Sequence, residues 1–527
     1  MTTALRAAAA PHRKARRSLS LETLESRLNL STLIAVAPPV ALGVAAAAAD
    51  TSTANTHRYR LDAWSDGQSG GQYGQTYINT NYAEAQQFFN RFKNRFSPFV
   101  SPTPTPPPPT VTPDPAPTPP PAPAPGDPIA ISQTSLGNTL RLTLTGTTGN
   151  DSILVTQSGN TLTITANGNT STVTGTFGEL AVYGGAGNDT ITIDSSVNIA
   201  GLLYGGSGTN TLVAHGSAKS YIVAIGAGTD ALTGNGVNTS FWADAGDTVN
   251  ASSAEIANGD VHRVSAFYQP FTTTPGAAGY VNTSLDGPNL LDPTDSGATT
   301  RLAASLWGSG PTMTDMNQGQ VGDCYFLSAL QSMAFATPGK LQEIAVDLGD
   351  GTYAVQFKRA GVTTFVRVDG DLPAAGWGGL LYAHPTSGGP IWQAIIEKAY
   401  AYYRTNSNTY NSLNWGWTGS AFGDLGVFTS TFSATSASVF NTLATAIAAG
   451  KPTAAITNTT ITGGASVIGS HAYTVVATST VSGVQWITLR NPWGFDGIGN
   501  DGNASDGIVK VTLAQFMANF SAGSIAM

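Results

Sequence analysis

Cys324 is the only cysteine of the chain, and it stands behind a Gly-Asp pair in NQGQVGDCYFLSALQSMA (317–334). Phe326, Leu327, Leu330, Met333 and Ala334 recur at helical spacing, which predicts a helix with one buried face. Gly322-Asp323 supplies a turn and an N-cap type residue, so the thiol falls at the first helical position. Unpaired N–H groups and the helix dipole favour an anion there, and the sequence predicts a lowered thiol pKa. A thiolate is a nucleophile for acyl transfer. A lone cysteine is more commonly a buried structural residue; the helix start behind a glycine turn is what argues for chemistry.

A thiolate catalyst needs a base, and the base needs an orienting group. His471 opens the alternating run HAYTVVATS (471–479), and VQWITLRN (484–491) alternates as well. Folded as an antiparallel hairpin centred near Val481, the runs set His471 opposite Asn491, whose amide oxygen could hold the imidazole tautomer. A strand histidine alone is an ordinary satisfied polar residue. Opposite an asparagine, in a chain with a helix-start cysteine, it is a candidate general base.

Five segments precede or carry these residues. Residues 1–50 join a basic stretch, HRKARR (12–17), to an apolar, Ala-rich run (33–49), the parts of an export signal; a disordered basic tail is the alternative. Pro38-Pro39 interrupts the run and argues against a stable membrane span. Residues 51–97 are polar, with a helical candidate at 82–96 and no legible role. Residues 98–128 hold 16 of the chain's 30 prolines, which predicts an extended polyproline-like linker. Residues 129–262 show short alternating runs between Gly/Asn turns, an all-β pattern. Aromatics and helical patterns return at 285–527.

Charged residues are 11% of the chain and the net charge is −8. The first 50 residues carry six Lys/Arg against three Asp/Glu, so the remainder has 18 basic and 29 acidic groups. That balance leaves no basic patch for nucleic acid. One cysteine excludes a disulfide framework and a cysteine zinc cluster.

The turns GTTGNDSILV (146–155), GGAGNDTITI (184–193) and GGSGTNTLVA (205–214) resemble the glycine- and aspartate-rich calcium repeat of bacterial exported proteins. That resemblance would make Asp151 and Asp189 calcium ligands. The third glycine recurs at 149, 187 and 208 rather than every nine residues, and Asn210 replaces an aspartate. A β-solenoid or sandwich whose turns bind no metal is the competing expectation.

QGQVGDCYFLSAL, GSHAYTV and LRNPWG, in that order, with FVRVDGDLP (365–373) and IWQAIIEKAYAYY (391–403) between them, resemble the signature blocks of calpain-type (papain-like) cysteine proteases. The resemblance covers about 300–525. It implies an α+β protease core of two subdomains at 285–527, which with the all-β domain and the Pro-rich linker read upstream makes a multidomain chain. It implies Cys324 as nucleophile, His471 as base and then acid, and Asn491 as its orienter. Gln318 would complete the oxyanion hole with the Cys324 N–H, and Trp493 would stand beside the site. Asp315, with the carbonyls of Gly308 and Gly310, matches a calcium site of the family. Pro390 stands where that site has an acidic ligand, and Gly497 and Ile508 stand at usually acidic positions near Asp496 and Asp506.

The expected protein is thus an exported or cell-surface cysteine endopeptidase acting on proteins or peptides through a thioester. The chemistry requires no cofactor, and calcium is the candidate ion. The other readings are a non-catalytic surface adhesion or calcium-binding protein with a calpain-like peptide-binding domain, and a thiol acyl-transfer enzyme such as a transglutaminase.

Overall fold

A computed structural model describes residues 121–226, 228–269, 290–359, 361–376, 379–497 and 503–527, and the backbone of four short strands outside them. Three of those strands, Ala49–Asp50, His57–Arg60 and Tyr77–Thr80, form an antiparallel sheet in a first unit, Met1–Pro107. The expected export signal, the polar segment with its helical candidate, and most of the Pro-rich stretch otherwise lie outside the described residues. A second unit, Pro108–Met527, carries the candidate chemistry.

Two seven-stranded sheets fill residues 130–263. From Glu179–Tyr183 onward, successive strands alternate between the sheets and pair in parallel with the strand one coil earlier. This is a β-solenoid, with an antiparallel hairpin and meander at its N-terminal end. Its turns are held by a side-chain ladder. Asp151 N–H donates to Asp189 Oδ1, Asp189 N–H to Asn210 Oδ1, Asn210 N–H to Asp230 Oδ1, and Asp230 N–H to Asp247 Oδ1, all at 2.7–2.9 Å. The last three steps span 21, 20 and 17 residues, one coil of two strands each, which is why the glycine spacing is not nine. Glycine is required in this stack: a Cβ on Gly208 or Gly228 would lie 1.9 Å from the carbonyl oxygen of the preceding coil.

Strand alternation sends side chains to two cores. Leu180, Val182, Leu203, Ile222 and Phe241 point between the two sheets. Ala181, Leu202, Tyr204, Tyr221, Val223 and Trp242 point outward, into a core shared with the C-terminal region. There Trp242 stacks on His262 (4.1 Å) and meets the edge of Phe365 (5.7 Å). Strand Phe267–Gln269, just past the solenoid, adds in parallel to Val362–Asp369 of the C-terminal region.

The C-terminal region has a helical part and a sheet. Helix α1 (Cys324–Ala336) is buried from Tyr325 to Ala334, and helix α2 (Trp392–Tyr403) is buried throughout. They meet through a Phe326–Tyr400 stack at 3.9 Å. Both are central helices, so their burial exceeds the single apolar face expected from periodicity. A six-stranded sheet follows, and its strands β1 (Ala472–Val481) and β2 (Val484–Arg490) form the hairpin foreseen in the sequence. The register differs from that expectation. The turn is Ser482-Gly483, both at positive φ (51° and 81°), as a tight two-residue hairpin requires. Val481 therefore pairs with Val484, and a bulge after Val475 leaves Thr474 opposite Arg490. His471 and Asn491 lie just beyond the paired strands rather than directly opposed.

Candidate active site

Strand β1 packs against helix α1, which carries the start of one to the start of the other. The Ala472 N–H interacts with the Cys324 sulfur. His471 precedes Ala472, and its backbone is pinned by Thr457, whose hydroxyl accepts the His471 N–H at 2.9 Å. His471 Nε2 lies 2.8 Å from Asn491 Oδ1. The Asn491 amide is itself fixed: Oδ1 accepts the Trp493 N–H at 3.0 Å and Nδ2 donates to the Asp496 carbonyl at 3.2 Å. With the oxygen so assigned, Nε2 must carry the proton, and Nδ1 keeps its lone pair. Trp493 covers the imidazole, with ring centroids 4.9 Å apart.

The electrostatics differ from the sequence expectation. Burial pushes the Cys324 thiol up to about 12; the Ala472 N–H opposes this and the Asp323 carboxyl beside it adds to it. Burial also pushes His471 down to about 4, against the Asn491 bond. The helix N-terminus does not overcome desolvation here, and no hydrogen bond joins thiol to imidazole among the described residues. At neutral pH the pair is a thiol and a neutral imidazole, poised for proton transfer in that direction.

Asp323 does not cap its helix. Its carboxyl is fully buried near Glu397 of α2; burial pushes Asp323 up to about 7, and burial together with Asp323 raises Glu397 well above the ordinary carboxylate value. Glu397 Oε2 also accepts the Ala383 N–H at 2.9 Å. Gln318 is tied to the other half of the site, its N–H donating to the Pro492 carbonyl at 2.8 Å. Its side-chain Nε2 donates to Val321 at 2.7 Å, leaving one amide hydrogen for another acceptor. The Cys324 N–H is in the first helical turn and has no intrahelical acceptor.

Three contributors were not singled out from sequence. Asn414 accepts the Gly322 N–H at 2.9 Å and so braces the turn before the thiol. Asn317 Oδ1 occupies the place where a Cβ on Gly494 would sit (1.8 Å), and Gly494 has φ 83°. Glu397 is the third. The NWGWTG stretch (414–419) was the visible signal for Asn414; the other two contacts join distant segments.

The side chains of the candidate calcium residues are engaged in hydrogen bonds, with one oxygen of Asp189 the exception. Asp315 Oδ2 accepts from Thr312 N–H (2.7 Å) and Trp392 Nε1 (3.0 Å), and its Oδ1 from the Thr312 hydroxyl (2.7 Å). Gly308 and Gly310 lie near it in sequence, but Gly308 faces Pro390, which has no side-chain oxygen. Asp151 is filled by Thr147 and Asn167. Asp189 leaves Oδ2 without a hydrogen-bond partner, and Gly184 is a glycine because a Cβ there would come 2.5 Å from that oxygen. Among the described residues no three His, Cys, Asp or Glu side chains converge as a metal site, and no helix is long and apolar enough to cross a membrane.

Residues 298–510 match the calpain family cysteine protease profile. Calpain-13 of Rattus norvegicus is 30% identical over 203 residues, covering 35% of this chain and 30% of that protein. The calpain-2 catalytic subunit of Gallus gallus is 31% identical over 172 residues, 30% of this chain and 23% of the relative. Human calpain-8 is 30% identical over 203 residues, 35% and 28%. The chain spans less than a third of the length of these relatives.

Proposed function

From the calpain-type cysteine protease domain at 298–510, we propose that this protein is an exported cysteine endopeptidase. It cuts peptide bonds on a papain-like core of two subdomains through Cys324, His471 and Asn491. The observation that carries this reading is the 2.8 Å bond from His471 Nε2 to Asn491 Oδ1, which leaves Nδ1 as a base next to the start of the thiol's helix. Sulfur attacks the peptide carbonyl carbon as Nδ1 takes the thiol proton, and the carbonyl π pair moves to oxygen. The Cys324 N–H and the Gln318 amide receive that oxyanion; one such donor lowers the barrier by about 3 kcal/mol. Collapse breaks the C–N bond, and the imidazolium gives its proton to the departing amine. Water then attacks the thioester, yielding its proton to Nδ1, and the thiol is restored as the acid leaves.

Incubating the protein with a peptide mixture and reading masses tests the reaction class. Cleavage adds one water across two fragments. An unchanged mixture supports a binding protein, and cross-links with loss of ammonia support a transglutaminase. Export follows from the basic stretch and apolar run at the N-terminus, and the solenoid suits the cell surface or the extracellular space.

Within this reading His471→Ala is expected to be nearly as damaging as loss of Cys324, lowering kcat on the order of 10⁵- to 10⁶-fold, and Asn491→Ala is expected to cost less, about 10- to 100-fold. The imidazole moves protons in both half-reactions, whereas the amide only orients it. Equal, small losses at both positions would refute the assignment.

Activity is also expected to be indifferent to calcium. Asp315 is the one carboxylate of the candidate set in the protease region and already accepts three hydrogen bonds, too little charge to offset the ion's dehydration. The measurement is peptide cleavage by the full chain in EGTA and in about 1 mM calcium, enough for weak extracellular-type sites. Loss of activity in EGTA with recovery in calcium would show that other ligands serve.

A further inference from the structure

Asp295 lies just before residue 298, where the match to the calpain family begins. Its carboxylate binds the start of the 3-10 turn Tyr410–Leu413. Oδ1 accepts the Tyr410 N–H at 2.9 Å, and Oδ2 accepts the Asn411 N–H at 2.8 Å and the Thr409 hydroxyl at 2.7 Å. The first N–H groups of a helical turn have no carbonyl acceptor within it, so a carboxylate 115 residues upstream of Tyr410 closes this one. The segment carrying Asp295 is tied to the same loop. The Thr294 N–H donates to the Asn408 carbonyl at 2.9 Å, and Asn408 Nδ2 donates to the Leu291 carbonyl at 3.0 Å. Tyr382 clamps both sides, its hydroxyl donating to the Asp295 carbonyl at 3.2 Å and its ring stacking on Tyr410 at 3.8 Å.

The turn leads into Asn414, and both ends of that side chain are committed. Nδ2 donates to the Asn411 carbonyl (3.1 Å) and to Asn411 Oδ1 (3.0 Å), while Oδ1 accepts the Gly322 N–H (2.9 Å). That N–H belongs to the Val321–Gly322 peptide, whose carbonyl accepts Gln318 Nε2 at 2.7 Å. A peptide unit is planar. Asn414, by holding its N–H, therefore fixes the direction of its carbonyl, and the carbonyl fixes the Gln318 amide. The second hydrogen of that amide is the one offered to the oxyanion. The Trp415 N–H secures the next peptide toward the thiol, donating to the Gly322 carbonyl at 3.0 Å. Hydrogen bonds and rigid peptides thus run from Asp295 through Asn411 and Asn414 to Gln318.

We propose that Asp295 is a positioning residue of the peptidase, acting through the Tyr410–Leu413 turn and Asn414 to aim the Gln318 amide at the oxyanion. This rests on the peptidase reading. Removing one oxyanion donor lowers kcat about 10²- to 10³-fold, and a donor left in place but poorly aimed loses part of that.

The test is a double-mutant cycle in the full chain, read well below the parent's thermal midpoint, with peptide hydrolysis and iodoacetamide alkylation of Cys324 measured side by side. Asn414→Ala is expected to lower kcat about 30-fold and Asp295→Ala about tenfold, with KM within about twofold of the parent. The double variant is expected to match Asn414→Ala within about twofold, because Asp295 then has nothing left to act through. Alkylation is a displacement that builds no oxyanion, so its rate is expected to stay at the parent's value in all three. Asp295→Asn keeps one acceptor for the turn and is expected to lose about threefold in kcat; it supplies the comparison if Asp295→Ala does not fold. Unchanged kcat in these Asp295 variants, with only the thermal midpoint lowered, makes the residue a structural anchor and overturns the proposal. A tenfold loss repeated in the Asn414→Ala background also overturns it, since Asp295 would then act elsewhere. So does alkylation that slows with hydrolysis, which would mean that the thiol itself has moved. A parent chain that cleaves no peptide removes the peptidase reading and this role with it.

Discussion

Cys324→Ala is expected to reduce peptide cleavage by the full chain below detection while leaving its thermal midpoint in place. The substitution removes one sulfur from the first turn of α1, and the next ten residues of the helix, Tyr325–Ala334, are buried by contacts that do not involve it. No other thiol exists to substitute. Losing the nucleophile of a triad costs on the order of 10⁶ in kcat, because the remaining groups cannot act without it. Retained cleavage in the alanine variant would end the thiol mechanism. The pH dependence of alkylation provides a second readout. Burial raises the thiol to about 12 and lowers His471 to about 4, so the resting thiol is protonated across the neutral range. Its reaction with iodoacetamide should therefore accelerate steadily as pH rises from 6 to 9, since only the thiolate reacts. A flat rate over that range would mean a preformed thiolate–imidazolium pair.

How much of this was legible in the sequence differs by element. The helix start at Cys324 was legible because apolar residues at helical spacing and a Gly-Asp turn both mark it. The approach of His471 to Asn491 was legible in outline, but through a register that the chain does not use. Alternation shows which residues share a face and says nothing about a bulge, so the one after Val475 was invisible. The expected acidity of the thiol is opposed by burial, for a different reason. Helix position is a local property that sequence carries, whereas desolvation depends on strand β1 and the 491–495 segment closing over the site. The solenoid's strands and turns were readable, yet their partners were not, because consecutive strands lie in opposite sheets. One signal was present and went unused. TLTITA (161–166) alternates, but SYIVA (220–224) and TSFWA (239–243) are buried along their whole length. A strand buried on both faces has something packed on each side.

That second face leads to the expectation that Glu343→Ala destabilises the second unit by about 3 kcal/mol. Glu343 belongs to the protease region, yet its partners are solenoid residues. Lys219 forms an ion pair with one carboxylate oxygen, while Ser240 Oγ donates to the other at 2.7 Å and His262 Nε2 lies 3.4 Å from it. Burial would raise this carboxyl, but His262 and Lys219 outweigh it and hold Glu343 below its ordinary value. Removing one partner of a buried ion pair costs about 3–5 kcal/mol, mainly through the charge left behind. The lower end applies because Lys219 keeps 15% of its side chain exposed. Asp260, which burial and Glu343 push up to about 6, is also relieved of a like charge. The stabilisation is present at neutral pH and is lost as pH falls below the ordinary carboxylate range through the depressed value of Glu343. Urea unfolding of the full chain, followed by tryptophan fluorescence and by peptide cleavage, reads this directly. A solenoid that shares a core with the protease makes both signals fall together, earlier in Glu343→Ala and only partly so in Glu343→Gln, which keeps an oxygen for Ser240. Two separated transitions, with the alanine variant moving neither, would mean that the solenoid is an independent module resting on the enzyme. In the shared-core case a fragment starting near residue 298 exposes Phe365 and the rest of the face that Trp242 covers. It is then expected to aggregate rather than cleave, and the solenoid counts as part of the peptidase.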